Sequence, residues 1–198
     1  MKNVLDVGIK TYQLALAKNI MKFAIDALKI LKKMEKRGNL FNLKSIVFIV
    51  VCVLLDVWTK QLAINNLILG ETQEFIVPFI DLLLIYNSGI AFGILDNNDH
   101  MTSIILLLIG ILIVIYLIYL ALREEDHFKK LALLTIVAGA IGNIFDRAMD
   151  GHVTDFLHLK INNFSFFIFN FADAFISIGA IIIIFFELKF TSDYDKTN

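Results

Sequence analysis

"MTSIILLLIGILIVIYLIYLAL", residues 101–122, carries no charged side chain. As a helix it is about 33 Å long, enough to cross bilayer hydrocarbon of about 30 Å. A helix apolar on every face over that length belongs in lipid rather than on the surface of a soluble domain. Working outward from it, three further apolar runs emerge. One spans about Ser45 to Leu69, one Leu131 to Phe145 and one Phe171 to Phe190. The third in chain order reaches membrane length only if its polar end, at Asp146, is included. The predicted fold is therefore membrane all-α with four transmembrane helices.

Composition agrees. Apolar residues make up 58% of the 198, and the mean hydropathy is +0.75, above the usual soluble domain. The single proline, Pro78, leaves long helices uninterrupted. The single cysteine, Cys52, can form neither an internal disulfide nor a zinc site of several thiolates.

A net charge of −1 hides an asymmetry. Residues 1–44 hold ten Lys/Arg against three acids. With the N-terminus inside, fifteen of the Lys/Arg fall on the inner side and only Lys60, Arg147 and Lys160 toward the outer half. The positive-inside rule then gives four spans with N- and C-termini both cytoplasmic. Residues 8–37 alternate apolar side chains (Leu16, Ile20, Phe23, Ala27, Leu31, Met34) with a lysine face (Lys18, Lys22, Lys29, Lys33, Lys36). This N-terminal amphipathic helix suits an anionic membrane surface. Its lysines are too interleaved for a cleavable signal peptide, and no motif points to nucleic acid. The expected division is a basic extension over 1–44, a four-span domain over 45–190 and a cytoplasmic tail over 191–198.

Two segments face outside in this arrangement. "EFIVPFIDLLLIYNSGIAFGIL" (74–95) and "FSFFIF" (164–169) are rich in β-branched and aromatic residues, so they are expected as short strands of a small extracytoplasmic β-sheet resting on the bilayer.

Ionisable groups within spans are costly and therefore candidates for function. Asp56 and Lys60 in "DVWTK" are four apart and share a helix face, with the lysine positioned to snorkel to the outer surface. In "AGAIGNIFDR" (138–147), Ala138 with Gly142 and Gly139 with Asn143 form a small, polar seam for close helix contact. Asp146 and Arg147 are adjacent, so each needs a different partner, and outer headgroups or an acid would suit Arg147. In "FNFADAF" (169–175), Asn170 and Asp173 share a face at the start of the fourth span, where the helix dipole favours an anion; simple capping explains this only weakly, because Asp173 is followed by a run of apolar residues and would have to enter the membrane edge.

Two nearby carboxylates are the minimal equipment for acid/base hydrolysis, because they share one proton and one can then activate water. Spacing alone leaves Asp146 and Asp155 both open as the partner of Asp173. His152, Asp155 and His158 at steps of three would converge only on a helix, whereas "HVTDFLHL" reads as a strand or turn, so no metal is expected. A small proton-coupled membrane transporter using the same acids is the alternative function, but it should show internal repeats, and none is visible. A non-catalytic scaffold would explain the spans and leave the polar motifs without a purpose.

In order and approximate spacing, "DVWTK", "YNSGIAFGIL", "AGAIGNIFDRAMDGHVTDF" and "FNFADAFISIG" resemble the lipoprotein signal peptidases, the type II signal peptidases of bacteria. The resemblance covers about residues 45–190. It implies an aspartyl endopeptidase of the bacterial inner membrane, with its active site at the outer leaflet. Such an enzyme cuts diacylglyceryl-modified prolipoproteins before the lipidated cysteine. It implies Asp155 and Asp173 as the catalytic pair. Asp56, Lys60, Asn87, Gly139, Asn143, Asp146, Arg147, Asn170 and Ala172 are implied as substrate-binding or supporting residues. No cofactor is implied. The partners implied are the lipidated prolipoprotein and membrane lipids, and a monomer is expected. Ala138 stands where the family often has glycine, and residues 1–40 lie outside the resemblance.

Overall fold

A computed structural model describes Lys22 and residues 43–89, 100–161 and 164–195. Apart from Lys22, the amphipathic helix expected over 8–37 lies outside the described residues, as do residues 90–95 of the 74–95 segment. The chain divides into compact units at residues 1–50 and 51–198. The described residues hold four long helices: α1 (Leu43–Asn66), α2 (His100–Arg123), α3 (His127–Asp150) and α4 (Phe171–Asp195). Each contains a stretch long and apolar enough to cross a membrane. Between them lie four strands, β1 (Thr72–Glu74), β2 (Ile80–Asn87), β3 (Val153–Ile161) and β4 (Phe164–Phe169). They pair antiparallel in the order β1-β2-β3-β4. The fold is thus the expected four-span membrane protein with a small sheet.

The helix bounds have local causes. α3 is longer than the apolar run because polar residues cap it. Asp126 accepts from the backbone N–H groups of Phe128 and Lys129, and Gly151, at φ 76°, ends the helix in a left-handed turn. That turn delivers the chain directly into β3. α3 packs against both α2 and α4. Against α4 the helices approach so closely that glycine is required. A Cβ on Gly179 would stand 2.6 Å from the Ala132 carbonyl oxygen, and one on Gly139 would overlap the Ala172 carbonyl. α2 instead turns most of its large apolar side chains outward, as a lipid-facing span does.

The strands follow their β-branched and aromatic content. In the register Asp155 stands opposite Ile85 and Val153 opposite Asn87, so Asn87 and Asp155 share one face as diagonal neighbours. Beneath the sheet, Leu84 and Phe156 bury themselves against Ala63, and Ile64, Leu67 and Phe171 complete that small core. It fixes the sheet on the ends of α1 and α4, and so fixes where β3 presents Asp155.

Candidate active site

Lys60 is the hub of the buried polar cluster. Its ammonium lies 2.8 Å from Asp56 Oδ2, 2.9 Å from Asp146 Oδ2 and 3.0 Å from Asn143 Oδ1. Those three acceptors match the three hydrogens of an ammonium. The side chain is 2% exposed, so the expected snorkelling to the outer surface does not occur. Two buried acids on different helices hold it more strongly than headgroup water could. The cation thereby joins α1 to α3.

Asp56 also reaches α4. Its Oδ1 accepts from the Ala172 N–H at 2.8 Å. That N–H belongs to the first turn of α4 and has no acceptor within the helix. Gly142 makes room for this contact, since a Cβ there would overlap Asp56 Oδ2. Asp146, besides holding Lys60, accepts from the Thr154 N–H at 3.1 Å and so ties the end of α3 to the start of β3.

Asn170 caps α4 and links the two candidate catalytic acids. Its Oδ1 accepts from the Asp173 N–H at 2.9 Å, and Asp173 Oδ2 accepts from the Asn170 N–H at 3.2 Å. This is a reciprocal capping arrangement. The same Asn170 donates through Nδ2 to Asp155 Oδ1 at 2.6 Å, with weaker bonds to the Thr154 carbonyl and Asn143 Oδ1. Simple capping is a weak account of Asp173 on sequence. Capping does occur, and one amide performs it while also gripping Asp155.

Asn143 continues the link. It takes the Lys60 ammonium on Oδ1 and donates from Nδ2 to Asp173 Oδ1 at 2.8 Å. The position of Asp173 is therefore set by a buried cation two hydrogen bonds away. Asp155 Oδ2 accepts from Asn87 Nδ2 at 3.0 Å, and Asn87 Oδ1 accepts from the Gly89 N–H at 3.0 Å. Each acid thus has both oxygens held by amide donors.

Asp155 lies outside the spans, on β3, and is 3% exposed. Burial, then the charge of Asp173, push its carboxyl up to about 7, against the opposing pull of Asn87, Asn170 and Lys60. The group therefore gains and loses its proton near neutrality, where a general acid or base is most useful.

Among the described residues, Arg147 does not pair with an acid at hydrogen-bond distance. It donates from Nη2 to the Gly89 carbonyl at 2.7 Å. Its charge still acts on Asp155, Asp173 and Asp146, and its buried Nε has no hydrogen-bond partner among the described residues. Gly139 gives α4 its close approach at Ala172. The structure thus gathers Asp56, Lys60, Asn87, Gly139, Asn143, Asp146, Arg147, Asp155, Asn170, Ala172 and Asp173 around one cluster.

Three contributors were not singled out for the site from sequence. Thr154 and Gly89 act through their backbones, which leave no residue-type signal. Gly142 stood in the small-residue seam, but nothing in the sequence indicated that it faces Asp56. The His152, Asp155 and His158 spacing lies on β3 and its preceding turn, so no helical face forms. Asp155 turns to Asn87 and Asn170, whereas His158 Nε2 lies 2.7 Å from Ser165 Oγ.

The family model described as Signal peptidase (SPase) II matches residues 48–189. The lipoprotein signal peptidase of Mesorhizobium japonicum is 38% identical over 142 residues, 71% of this chain and 82% of that protein. The lipoprotein signal peptidase of Pelagibacter ubique is 39% identical over 167 residues, 81% of this chain and 98% of that one. A solved structure of a bacterial membrane enzyme superposes with a TM-score of 0.68 at 34% identity, covering 76% of this chain and 90% of its own.

Proposed function

The chain belongs to the signal peptidase II family, and from that membership and the site geometry we propose that it removes the signal peptide from diacylglyceryl-modified prolipoproteins. Cleavage falls before the lipidated cysteine, with Asp155 and Asp173 as the catalytic pair. The observation that supports this reading is one residue, Asn170, that holds both acids: its side-chain Nδ2 donates to Asp155 Oδ1 at 2.6 Å and its backbone N–H to Asp173 Oδ2 at 3.2 Å.

The acids share one proton. The ionised acid takes a proton from a water molecule as the water oxygen attacks the scissile carbonyl. The protonated acid donates to the carbonyl oxygen, giving a neutral gem-diol intermediate. Collapse reforms a carbonyl, breaks the C–N bond and hands a proton to the departing amine of the lipidated cysteine. The peptide leaves as a carboxylic acid, whose proton passes to water or to the new amine, and the dyad is left with its single proton. The Asn87 amide, which donates one N–H to Asp155, has a second with which to position substrate backbone. Asp56, Lys60, Asn143 and Asp146 brace the acids without touching substrate, and Gly139 and Ala172 let the helices meet closely enough for that bracing. A transporter reading has no support beside a peptidase family match.

In this reading both termini are cytoplasmic, on the lysine and arginine distribution, and the dyad works at the outer leaflet of the bacterial inner membrane as a monomer. Residues 1–44 serve as a basic extension on the inner membrane surface, and residues 191–198 as a cytoplasmic tail. The acyl chains of the substrate remain in lipid beside the spans.

The test is incubation of detergent-solubilised protein with a diacylglyceryl-modified precursor. The parent releases the signal peptide, and folded Asp155→Asn and Asp173→Asn variants do not. Full turnover by either variant removes the dyad assignment. A parent that leaves the lipidated precursor intact removes the substrate assignment.

A further inference from the structure

The side chains gathered around Lys60 come from α1, α3, α4 and the sheet, and α2 reaches the same region by another route. Ser103, near the start of α2, is 5% exposed, and its hydroxyl donates to the Gly151 carbonyl at 2.5 Å. A hydroxyl inside a helix ordinarily returns to the carbonyl one turn back. Thr59 does so to the Leu55 carbonyl at 2.9 Å, and Thr135 to the Leu131 carbonyl at 2.8 Å. Ser103 instead crosses to a residue 48 positions along the chain.

The acceptor stands at a weak joint. Gly151 ends α3 in the left-handed region, and pairing of β3 with β2 begins only at Val153. The Gly151 carbonyl therefore lies beyond the helix ladder and ahead of the sheet ladder. A Cβ at Gly151 would meet nothing within 4 Å, so packing does not confine the joint, and glycine has wide backbone freedom. Such a carbonyl needs water or a side chain as its donor. Ser103 supplies the donor from a helix, which also takes away the freedom of the joint.

From this joint the chain is gripped residue by residue as far as Asp155. The His152 ring lies 4.4 Å, centroid to centroid, from that of Tyr86 on β2. The Thr154 N–H goes to Asp146 on α3, and the Thr154 carbonyl accepts from the Asn170 amide that caps α4. Asp155 then accepts from Asn87 and Asn170. Those two amides hold the carboxylate oxygens and leave the strand able to pivot about them. The Ser103 bond acts about 13 Å back along the chain, where a short tether stops the pivot.

We propose that Ser103 is a positioning residue. By tying the Gly151 turn to α2, it sets the orientation in which β3 presents Asp155 to Asp173. This rests on the proposed function, since it takes those two acids as the catalytic pair. Ser103 acts through the Gly151 backbone. Capture of a substrate by its acyl chains does not depend on that orientation, so loss of the tie slows the chemical step and leaves binding alone.

The test uses the full detergent-solubilised chain and a diacylglyceryl-modified precursor. Ser103→Ala should lower kcat about ten-fold and leave KM within about two-fold, because a small misplacement of a reacting group is felt in the chemical step. Ser103→Thr and Ser103→Val add the same bulk and differ in the hydroxyl, so the threonine variant should turn over about five-fold faster than the valine one. Backbone hydrogen exchange in Ser103→Ala should quicken about ten-fold over residues 151–155 and stay at the parent rate over residues 131–145. Unchanged kcat overturns the proposal, as does a threonine variant no faster than the valine one. Exchange over residues 151–155 that matches the parent's overturns it as well. A rise in KM equal to the fall in kcat, or exchange that quickens along the whole chain, assigns Ser103 to binding or to folding and overturns the positioning role. Failure of the proposed function shows in a different variant, because Asp155→Asn would then cleave fully and remove the acid that Ser103 orients.

Discussion

Lys60→Met isolates the buried ammonium. Methionine keeps an unbranched chain of similar reach and removes the charge. The change leaves Asp56 Oδ2 and Asp146 Oδ2, formerly 2.8 and 2.9 Å from the cation, inside the protein without it. Breaking one buried pair costs about 3–5 kcal/mol, mostly as the cost of the orphaned charge. Two pairs break here, but either acid can escape by taking a proton, so the costs do not add, and about 4 kcal/mol is the expected loss. For a chain of this length each kcal/mol moves the unfolding midpoint by about 2–4 °C, which puts the shift on the order of 10 °C. Cys52 is buried and the sole cysteine, so its reaction with a thiol-specific dye during heating in detergent reports unfolding. Adding Asp56→Asn and Asp146→Asn to Lys60→Met removes the orphaned charges and should recover more than half of the loss. A Lys60→Met midpoint within about 2 °C of the parent would refute the reasoning. So would a triple variant no more stable than the single one.

Further outcomes follow from the same contacts. Asp146→Asn should retain more turnover per folded molecule than Asp155→Asn or Asp173→Asn. Steady-state cleavage normalised to folded protein checks this, and equal loss would return Asp146 to the catalytic candidates. Because the Asp155 carboxyl is raised to about 7, it favours the folded state below its unfolded value of about 4, and that contribution fades as pH climbs through about 7. The loss approaches roughly 4 kcal/mol by pH 8. The parent should therefore melt earlier as pH rises from about 4 to about 7 and change little from this group above about 8, with a smaller slope in Asp155→Asn. Identical slopes would contradict the raised value. Gly142→Ala should lower stability by about 1–3 kcal/mol as its methyl displaces the Asp56 carboxylate, while Gly151→Ala, with open space around it, should show only the left-handed backbone penalty.

Much of this was legible in the sequence, for identifiable reasons. The charge-free run at 101–122 leaves no choice but a span, and strand composition placed β2 and β4. The bounds of α3 followed cap chemistry at Asp126 and Gly151 rather than hydropathy, so the apolar run alone came out too short. Asp56 and Lys60 were readable as a pair because they are helical neighbours. The burial of Lys60 was not, because its other acid lies far along the chain on a different helix. Arg147 found a backbone carbonyl at Gly89, an acceptor every residue possesses and which therefore carries no signal. The choice of Asp155 over Asp146 needed the family resemblance. In the structure the two differ plainly, since Asp146 is committed to Lys60 and Thr154 while Asp155 is held by amides alone.

Asn170 has a consequence for when the protein becomes competent during its own synthesis. The bonds that start α4 are the bonds that bring Asp173 and Asp155 to one amide. α4 also leaves the ribosome after α1, α2 and α3. A nascent chain with three helices inserted already carries Asp155 but lacks both its partner acid and the amide that links them. With the proposed pair of acids, the site closes only when α4 docks at its proper depth, and a truncated or mis-threaded product sits in the membrane as an inert bundle rather than an unregulated protease.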